Sequence, residues 1–348
     1  MAPAPMMPAL VTPGPVTPGL VTPAAVGGAS VPAVSSPATA ASGGQSWNIV
    51  ADLHRMLELH FMVNAFRAGT IVAVIAGAIG WFMVLRRQSF AGHTLAVVSF
   101  PGAAGAIWLG VSATAGYFAG SIAAASVIAM VPRSPSGRER SEESAVIGTV
   151  QAFALACGVL FVSLYGGFLD SLTGLLFGTF LGISDGQVVT LALVAAAVLA
   201  ALACIARPLF FATVDGDVAA ARGVPVRGLS VAFLLLLGCA AAEVSQITGA
   251  LLVFALLVMP AAAAQQITVR PALSLTLTLV LSVLTTWASL GIAFYSVYPV
   301  GFFVSTIGFA CYVLAAGGRA LATRVGTRPP GRTRAADGTH RVDAAVGA

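Results

Sequence analysis

Two ionisable side chains, His93 and Glu243, interrupt strongly apolar stretches of the sequence. His93 lies in RRQSFAGHTLAVVSFPG (86–102), between two apolar runs. This segment is interpreted either as a loop that turns at a membrane surface or as a place where His93 faces a polar path through the protein.

Glu243 lies in GCAAAEVSQITGA (238–250). A carboxylate held inside a membrane is costly and usually faces a cavity or a partner. Glu243 is therefore a candidate functional residue, unless its apolar run ends there and leaves it on the surface.

The composition is that of a membrane protein. Of the 348 residues, 58% are hydrophobic and only 8% are charged, and the mean hydropathy is +0.96; in soluble domains about a quarter of the residues are charged. Apolar runs of about 18 or more residues recur, each long enough to cross a bilayer core of about 30 Å. The runs are continuously apolar rather than alternating, which favours helices over a barrel. The sequence therefore predicts an all-α, polytopic protein of the lipid bilayer, with no nucleic-acid partner.

About nine transmembrane helices are expected, or eight if the second and third merge. The expected spans are 61–85, 93–110, 113–131, 145–168, 187–206, 229–248, 250–267, 272–297 and 299–318. With nine spans, all of the 17 arginines except Arg55 and Arg67 fall on one side. Because cytoplasmic loops carry an excess of basic residues, that side is predicted to be cytoplasmic. The expected location is the cell membrane, with the N-terminus outside and the C-terminus in the cytoplasm.

The chain divides into three regions. Residues 1–46 carry no charge and are rich in Pro, Ala and Thr, which predicts a disordered tail. Residues 47–318 form the transmembrane region, which opens with a short interfacial helix at 47–60. Residues 319–348 are predicted to be an Arg-rich cytoplasmic tail. Asp170 and Asp185 are expected at the outer surface, either as solvated turn residues or as contacts for a binding protein.

The largest predicted cytoplasmic loop, 207–230, carries signals for a short helix. Asp215 can cap its first turn, Gly223 can end it, and charged residues in the first and last turns complement the helix dipole. The segment is interpreted either as a plain interfacial loop or as a docking element, because its small alanine side chains would let a soluble partner approach closely. The candidate docking residues are Asp215, Asp217, Ala219, Arg222 and Gly223.

Five segments, taken in chain order, resemble motifs of ABC-transporter permeases of the zinc, manganese and iron importer type. They are VLRR with the later Pro-Gly (84–102), LLFGTFLGIS (175–184), DGDVAAARGV (215–224), TGALLVFALLVMPAAAA (248–264) and the Tyr295-Ser296…Pro299-x-Gly301 turn. The likeness covers about residues 56–318. It implies the fold of a type II ABC importer permease.

The resemblance also implies the partners and the division of labour. It implies a homodimeric pore formed with a second permease copy, and a cytoplasmic ABC ATPase dimer docked on a coupling helix at 215–223. It further implies an extracytoplasmic protein that delivers a divalent metal, which is the transported substrate. This chain is then not an enzyme and binds no cofactor, since ATP is used by the partner. The sequence agrees, because it contains no GxxxxGK[ST] loop to hold phosphate.

One position departs from the family pattern. Where the family has an acid and, four residues later, a histidine that are thought to line the metal path, this sequence has His93 and Val97. His93 is therefore a candidate metal ligand, with Glu243 as the second, although His93 could instead be a polar residue at a helix start. Imidazole suits zinc, whereas Mn²⁺ prefers carboxylate oxygens. Zinc is favoured as the substrate, then manganese or iron.

Two other functions stay open. A stand-alone secondary carrier driven by protons or another ion would be expected to have several intramembrane carboxylates and an internal repeat. Only Glu243 is a candidate for such a carboxylate, and no convincing repeat is found. The third possibility is a membrane scaffold or sensor with no transported substrate.

Overall fold

The computed structural model describes residues 56–130, 139–165, 176, 178, 182–250 and 252–326. In this part of the chain ten α-helices follow one another: α1 (His60–Leu85), α2 (Ser89–Trp108), α3 (Ala113–Met130), α4 (Glu139–Tyr165), α5 (Asp185–Val214), α6 (Gly216–Ala221), α7 (Val226–Thr248), α8 (Val253–Ile267), α9 (Pro271–Phe294) and α10 (Val300–Gly326). The predicted tail at 1–46, most of the predicted interfacial helix at 47–60, and residues 327–348 lie outside the described residues.

Eight of the helices described here are long and apolar enough to cross a membrane, which confirms the all-helical, polytopic fold. The second and third predicted spans do not merge; they are the separate helices α2 and α3. The seventh predicted span corresponds to α8, which is shorter than the other predicted spans that the structure describes. It has 15 residues and contains Pro260. At 1.5 Å per residue it is about 22 Å long, less than the bilayer core of about 30 Å.

Although α8 is short, it still reverses the direction of the chain. Near its end, Gln265 donates a hydrogen bond to the carbonyl of Trp81 in the last turns of α1 (3.1 Å). Trp81 in turn donates to the hydroxyl of Ser274, near the start of α9 (3.1 Å). The chain therefore returns to the end of the bundle at which α1 ends. As a result, the described chain begins at one end of the bundle and finishes at the other.

We call one end of the bundle the arginine end. It holds the turn after α1, the short helix α6 and the start of α7, and its arginines include Arg86, Arg87, Arg222 and Arg227. Arg319 also lies there, since it donates to Gln266 at the end of α8 (2.9 Å). The opposite end holds the starts of α1, α3 and α5. The grouping of the described arginines thus follows the pattern expected from the sequence.

Small residues let the interior helices pack closely. A Cβ added to Gly69 of α1 would meet Thr286 of α9 at 3.0 Å, so no larger residue fits there without a shift. The hydroxyl of Thr286 donates to the Ser282 carbonyl one turn earlier (2.9 Å), which satisfies it inside its own helix. Close approach through small and self-satisfied polar residues is typical of membrane helices. Helices α1, α2 and α7 are largely buried, whereas α4, α5 and α10 are mostly exposed.

Several helices extend beyond the predicted apolar spans. Helix α2 begins at Ser89 rather than at 93, α5 continues to Val214, and α10 runs on to Gly326, into the segment predicted as a tail. The reason is that an apolar window marks only the part of a helix that suits the bilayer core. Backbone hydrogen bonding continues into polar residues wherever water or protein surrounds them.

Candidate functional site

Glu243 lies in the interior of the bundle. It stands five residues before the end of α7 and is 0% exposed. Neither carboxylate oxygen has a hydrogen-bond partner among the described residues. The alternative that the span ends at this residue and leaves it on the surface is therefore wrong. Burying a charged group without a partner is expensive, so an unsatisfied buried carboxylate calls for a functional explanation.

Glu243 is one of the residues that line a cavity of about 380 Å³ between α3, α5 and α7. The other polar lining residues are Thr114, Tyr117, Gln187, Thr190 and Gln246. Tyr117 is buried deep in the wall, whereas Gln187 and Thr190 are exposed and form the rim. Because α3 and α5 start at this end, the cavity opens at the end of the bundle opposite the arginine end.

His93 lies in the second turn of α2, not at its start. Its ring is half-buried and packs edge-on against Phe254 of α8, with 5.0 Å between the ring centroids. Its Nδ1 atom is buried and has no hydrogen-bond partner among the described residues. Val97 follows one turn later and is buried. The imidazole therefore keeps a ring nitrogen that the rest of the described chain does not use.

A contact between α2 and α7 relates the two candidate residues. The Ser99 hydroxyl donates to the Ser245 hydroxyl (2.8 Å), so these residues lie at the same level, and both helices start at the arginine end. At 1.5 Å per residue, His93 lies about 9 Å and Glu243 about 3 Å from that level towards the arginine end. Glu243 is thus nearer the open cavity, and His93 lies roughly 6 Å deeper.

The structure does not gather the candidates into one metal centre within a single chain. His93 is not among the residues that line the cavity around Glu243. Within the described residues, no group of three or more His, Cys, Asp or Glu side chains is placed to hold a metal ion. A metal site that includes His93 would therefore need further ligands, for example from a second copy of the chain.

The short helix predicted between α5 and α7 is present as α6. The backbone N–H of Val218 donates to the Asp215 carboxylate (3.0 Å), which caps the first turn. At the other end the N–H of Val224 donates to the Ala219 carbonyl (3.0 Å) and that of Gly223 to the Ala220 carbonyl (2.9 Å). These two bonds form a Schellman ending, and Gly223 adopts the left-handed conformation it requires, with φ 81°.

The face of α6 that a partner could reach is smaller than the sequence indicates. Ala219 is 0% exposed, so it anchors the helix on its own chain rather than meeting a partner. Asp217, Ala220 and Arg222 are exposed. The guanidinium of Arg222 lies over the Phe211 ring of α5, 5.9 Å from its centroid. The helix is therefore fixed to the bundle on one side and open on the other.

Arg86 holds the base of α6, a role that sequence reasoning missed. Its guanidinium donates to Thr213 at the end of α5 (3.1 Å) and to Ser230 at the start of α7 (2.8 Å). It also lies over the Phe233 ring, 5.4 Å from the centroid. Arg86 thus ties together the two helices that flank α6. Its place directly after α1 was visible in the sequence, but its partners, more than a hundred residues away, were not.

Replacing Arg86 with alanine is expected to loosen the arginine end. Hydrogen bonds from a charged donor contribute about 1.5–3 kcal/mol when buried, and less at this half-buried position, so we expect a loss of about 2 kcal/mol. Arg86→Lys should recover only part of this, because an ammonium cannot reproduce the planar fork. Thermal unfolding of the purified protein in detergent measures the effect. Arg227→Ala, which removes an exposed arginine at the same end, is the control; equal melting temperatures for both alanine variants would contradict the assignment.

The predicted surface acid Asp185 joins two helices. Its carboxylate lies 3.0 Å from the Nε2 atom of His60, linking the starts of α5 and α1. Both side chains are largely exposed, so the pair contributes little to stability. Asp170 lies outside the described residues.

The chain matches known proteins over most of its length. The model of the ABC 3 transport family matches residues 58–317. The manganese transport system membrane protein MntC of Halalkalibacterium halodurans is 28% identical over 253 residues, which cover 73% of this chain and 85% of that protein. The chelated iron transport system membrane protein YfeC of Yersinia pestis is 30% identical over 222 residues, which cover 62% of this chain and 74% of that protein.

A solved structure agrees in fold. PsaBC from Streptococcus pneumoniae, determined in complex with a Fab, superposes with a TM-score of 0.68 at 23% identity; the match covers 77% of this chain and 95% of that chain. At this identity the likeness establishes the fold alone. The family match over three quarters of the sequence shows a transport component rather than an enzyme. The chain belongs to the ABC 3 transport family.

Proposed function

We propose that this chain is the membrane-spanning permease of an ABC importer for a divalent transition metal. In this proposal two copies of the chain form the translocation path, a separate ATPase dimer supplies the energy, and an extracytoplasmic protein delivers the metal. The observation that carries the proposal is α6: a short helix that is capped at both ends, anchored by Ala219 and left open on its other face.

The geometry of α6 suits the transmission of force from a soluble partner. Its Asp215 cap and Schellman ending close the two ends of the helix without help from a partner, so it is formed before docking. Arg86 connects α5 and α7, so a displacement of α6 is transmitted to both helices. Helix α7 carries Glu243. A displacement at α6 is therefore carried along α7 to the cavity at the opposite end.

The arginine end is proposed to face the cytoplasm. Described arginines group at this end, and basic residues are in excess on the cytoplasmic side of membrane proteins. The cavity around Glu243 then opens to the outside, where a delivery protein would dock. The same orientation places the N-terminus outside and the C-terminus in the cytoplasm.

The transported ion is proposed to be zinc, manganese or iron. The names of MntC and YfeC point to manganese and chelated iron for those relatives. In this chain the ring nitrogen of His93 that has no partner among the described residues favours an ion that accepts imidazole, which gives zinc preference over manganese at that level of the path. A secondary carrier is less well supported, because Glu243 is the only buried acid among the described residues.

Metal accumulation in cells tests the proposal. A strain that lacks this chain should accumulate less of one of the three metals when that metal is limiting, and the intact gene should restore it. Mass spectrometry of whole cells measures all three metals at once. Purification of the tagged chain from the restored strain should also recover an ATPase. If the strain that lacks this chain has an unchanged content of all three metals, and no ATPase is recovered with the tagged chain, the proposal is contradicted.

A further inference from the structure

We propose that the cavity around Glu243 is an entry site that binds a hard divalent cation, such as Mn²⁺, through oxygen atoms. The inference rests on the proposed function, because it treats the cavity as the outer part of the translocation path. It adds a binding position that is separate from His93 and made from different ligands.

The first argument is the state of Glu243 itself. The residue is 0% exposed, it lines the cavity, and both of its carboxylate oxygens lack a hydrogen-bond partner among the described residues. An apolar residue of similar size would fill the position without the cost of burying a carboxylate. A cation that moves in from the cavity would provide the missing partner once the side chains beside the carboxylate make room for it.

The second argument is the chemistry of the lining. Besides the Glu243 carboxylate, the described lining contributes the side-chain amide carbonyl of Gln246 and the hydroxyls of Thr114 and Thr190, while the amide oxygen of Gln187 already accepts a hydrogen bond from the Ser184 N–H (3.0 Å). No His, Cys or Arg is among the described residues that line the cavity; Cys239, one turn before Glu243 on α7, is not one of them. Carboxylate, carbonyl and hydroxyl oxygens suit Mg²⁺, Ca²⁺ and Mn²⁺, and no cationic group is there to repel them.

The third argument is the size and charge of the site. A volume of about 380 Å³ admits an ion with much of its hydration shell, since each water occupies about 30 Å³. Glu243 supplies a single negative charge to a doubly charged ion, so the described lining would hold the ion without trapping it. Sites in a transport path must bind well enough to admit the ion and weakly enough to release it. The rim residues Gln187 and Thr190 are exposed, which leaves a way in.

Direct binding to the purified, full-length chain in lipid nanodiscs tests this site without ATP or a delivery protein. Free Mn²⁺ gives an electron paramagnetic resonance signal that is lost on binding, so a titration yields the affinity. Glu243→Gln keeps the shape of the side chain and removes its charge, and we expect it to weaken Mn²⁺ binding at least tenfold. Glu58→Gln, which removes an exposed carboxylate near the start of α1, should leave binding unchanged.

The outcomes separate this inference from the proposed function. Equal Mn²⁺ affinity for the Glu243→Gln variant and the parent overturns the entry site, whatever the cells import. Weaker binding together with reduced metal uptake supports both ideas. Weaker binding with normal uptake shows that the site lies off the path and overturns its role as an entrance. If Mn²⁺ binding depends on Glu243 but deletion of the chain changes no metal content in cells, the cation site is supported and the importer function is contradicted.

Discussion

Replacing Gly223 with valine is expected to reduce metal uptake to background while the protein still reaches the membrane. Gly223 ends α6 with φ 81°, a left-handed conformation that costs a residue with a Cβ roughly 1–2 kcal/mol and a β-branched residue more. Valine would move the chain out of this region and break the two hydrogen bonds that close the helix. The exposed face of α6 would then lose its shape, and ATP hydrolysis by the partner would no longer be linked to transport.

The matched control for Gly223 lies in the same helix. Gly216 has ordinary backbone angles, and a Cβ placed there would meet nothing within 4 Å. Gly216→Ala should therefore keep uptake close to that of the parent. Uptake of the limiting metal and ATP hydrolysis by the purified complex are measured for both variants. If Gly223→Val imports metal at the normal rate with normal ATPase stimulation, 215–223 is not the docking element and docking must occur elsewhere.

Removing the imidazole of His93 is expected to lower zinc uptake about tenfold or more at limiting metal, since even partners of metal ligands contribute 10–100-fold in affinity. His93→Ala deletes the buried ring nitrogen that has no partner among the described residues. His93→Asp replaces it with the carboxylate that resembles the family pattern, so the zinc-to-manganese ratio of uptake should fall. Uptake of both ions from a mixture, at equal amounts of protein in the membrane, measures this ratio.

His60→Ala is the control for His93. It removes an exposed histidine whose link to Asp185 contributes little, so uptake should be unchanged. An alternative role for His93 is packing alone, since its ring lies against Phe254. In that case alanine would lower the amount of folded protein, and the aspartate variant would show no change in metal preference. Zinc transport by His93→Ala as fast as by the parent would remove His93 from the path.

The sequence alone determined the fold class and the position of α6. These features depend on interactions that are local in the chain. A long apolar run forms a helix in a membrane because its backbone must be satisfied within the segment. The signals that start and end α6, Asp215 and Gly223, act on residues at most a few positions away. Such short-range interactions can be inferred from residues that are neighbours in the sequence.

Other features were decided by the tertiary structure. The sequence left open whether Glu243 is buried or at the surface, because burial depends on α3 and α5, which come earlier in the chain and pack beside α7. It also presented Ala219 as a contact for a partner, although the bundle covers it. Arg86 gained its role only when Thr213 and Ser230 were brought to it. Depth, cavities and long-range hydrogen bonds arise from which helices become neighbours, and this depends on the packing of the whole bundle rather than on any one segment.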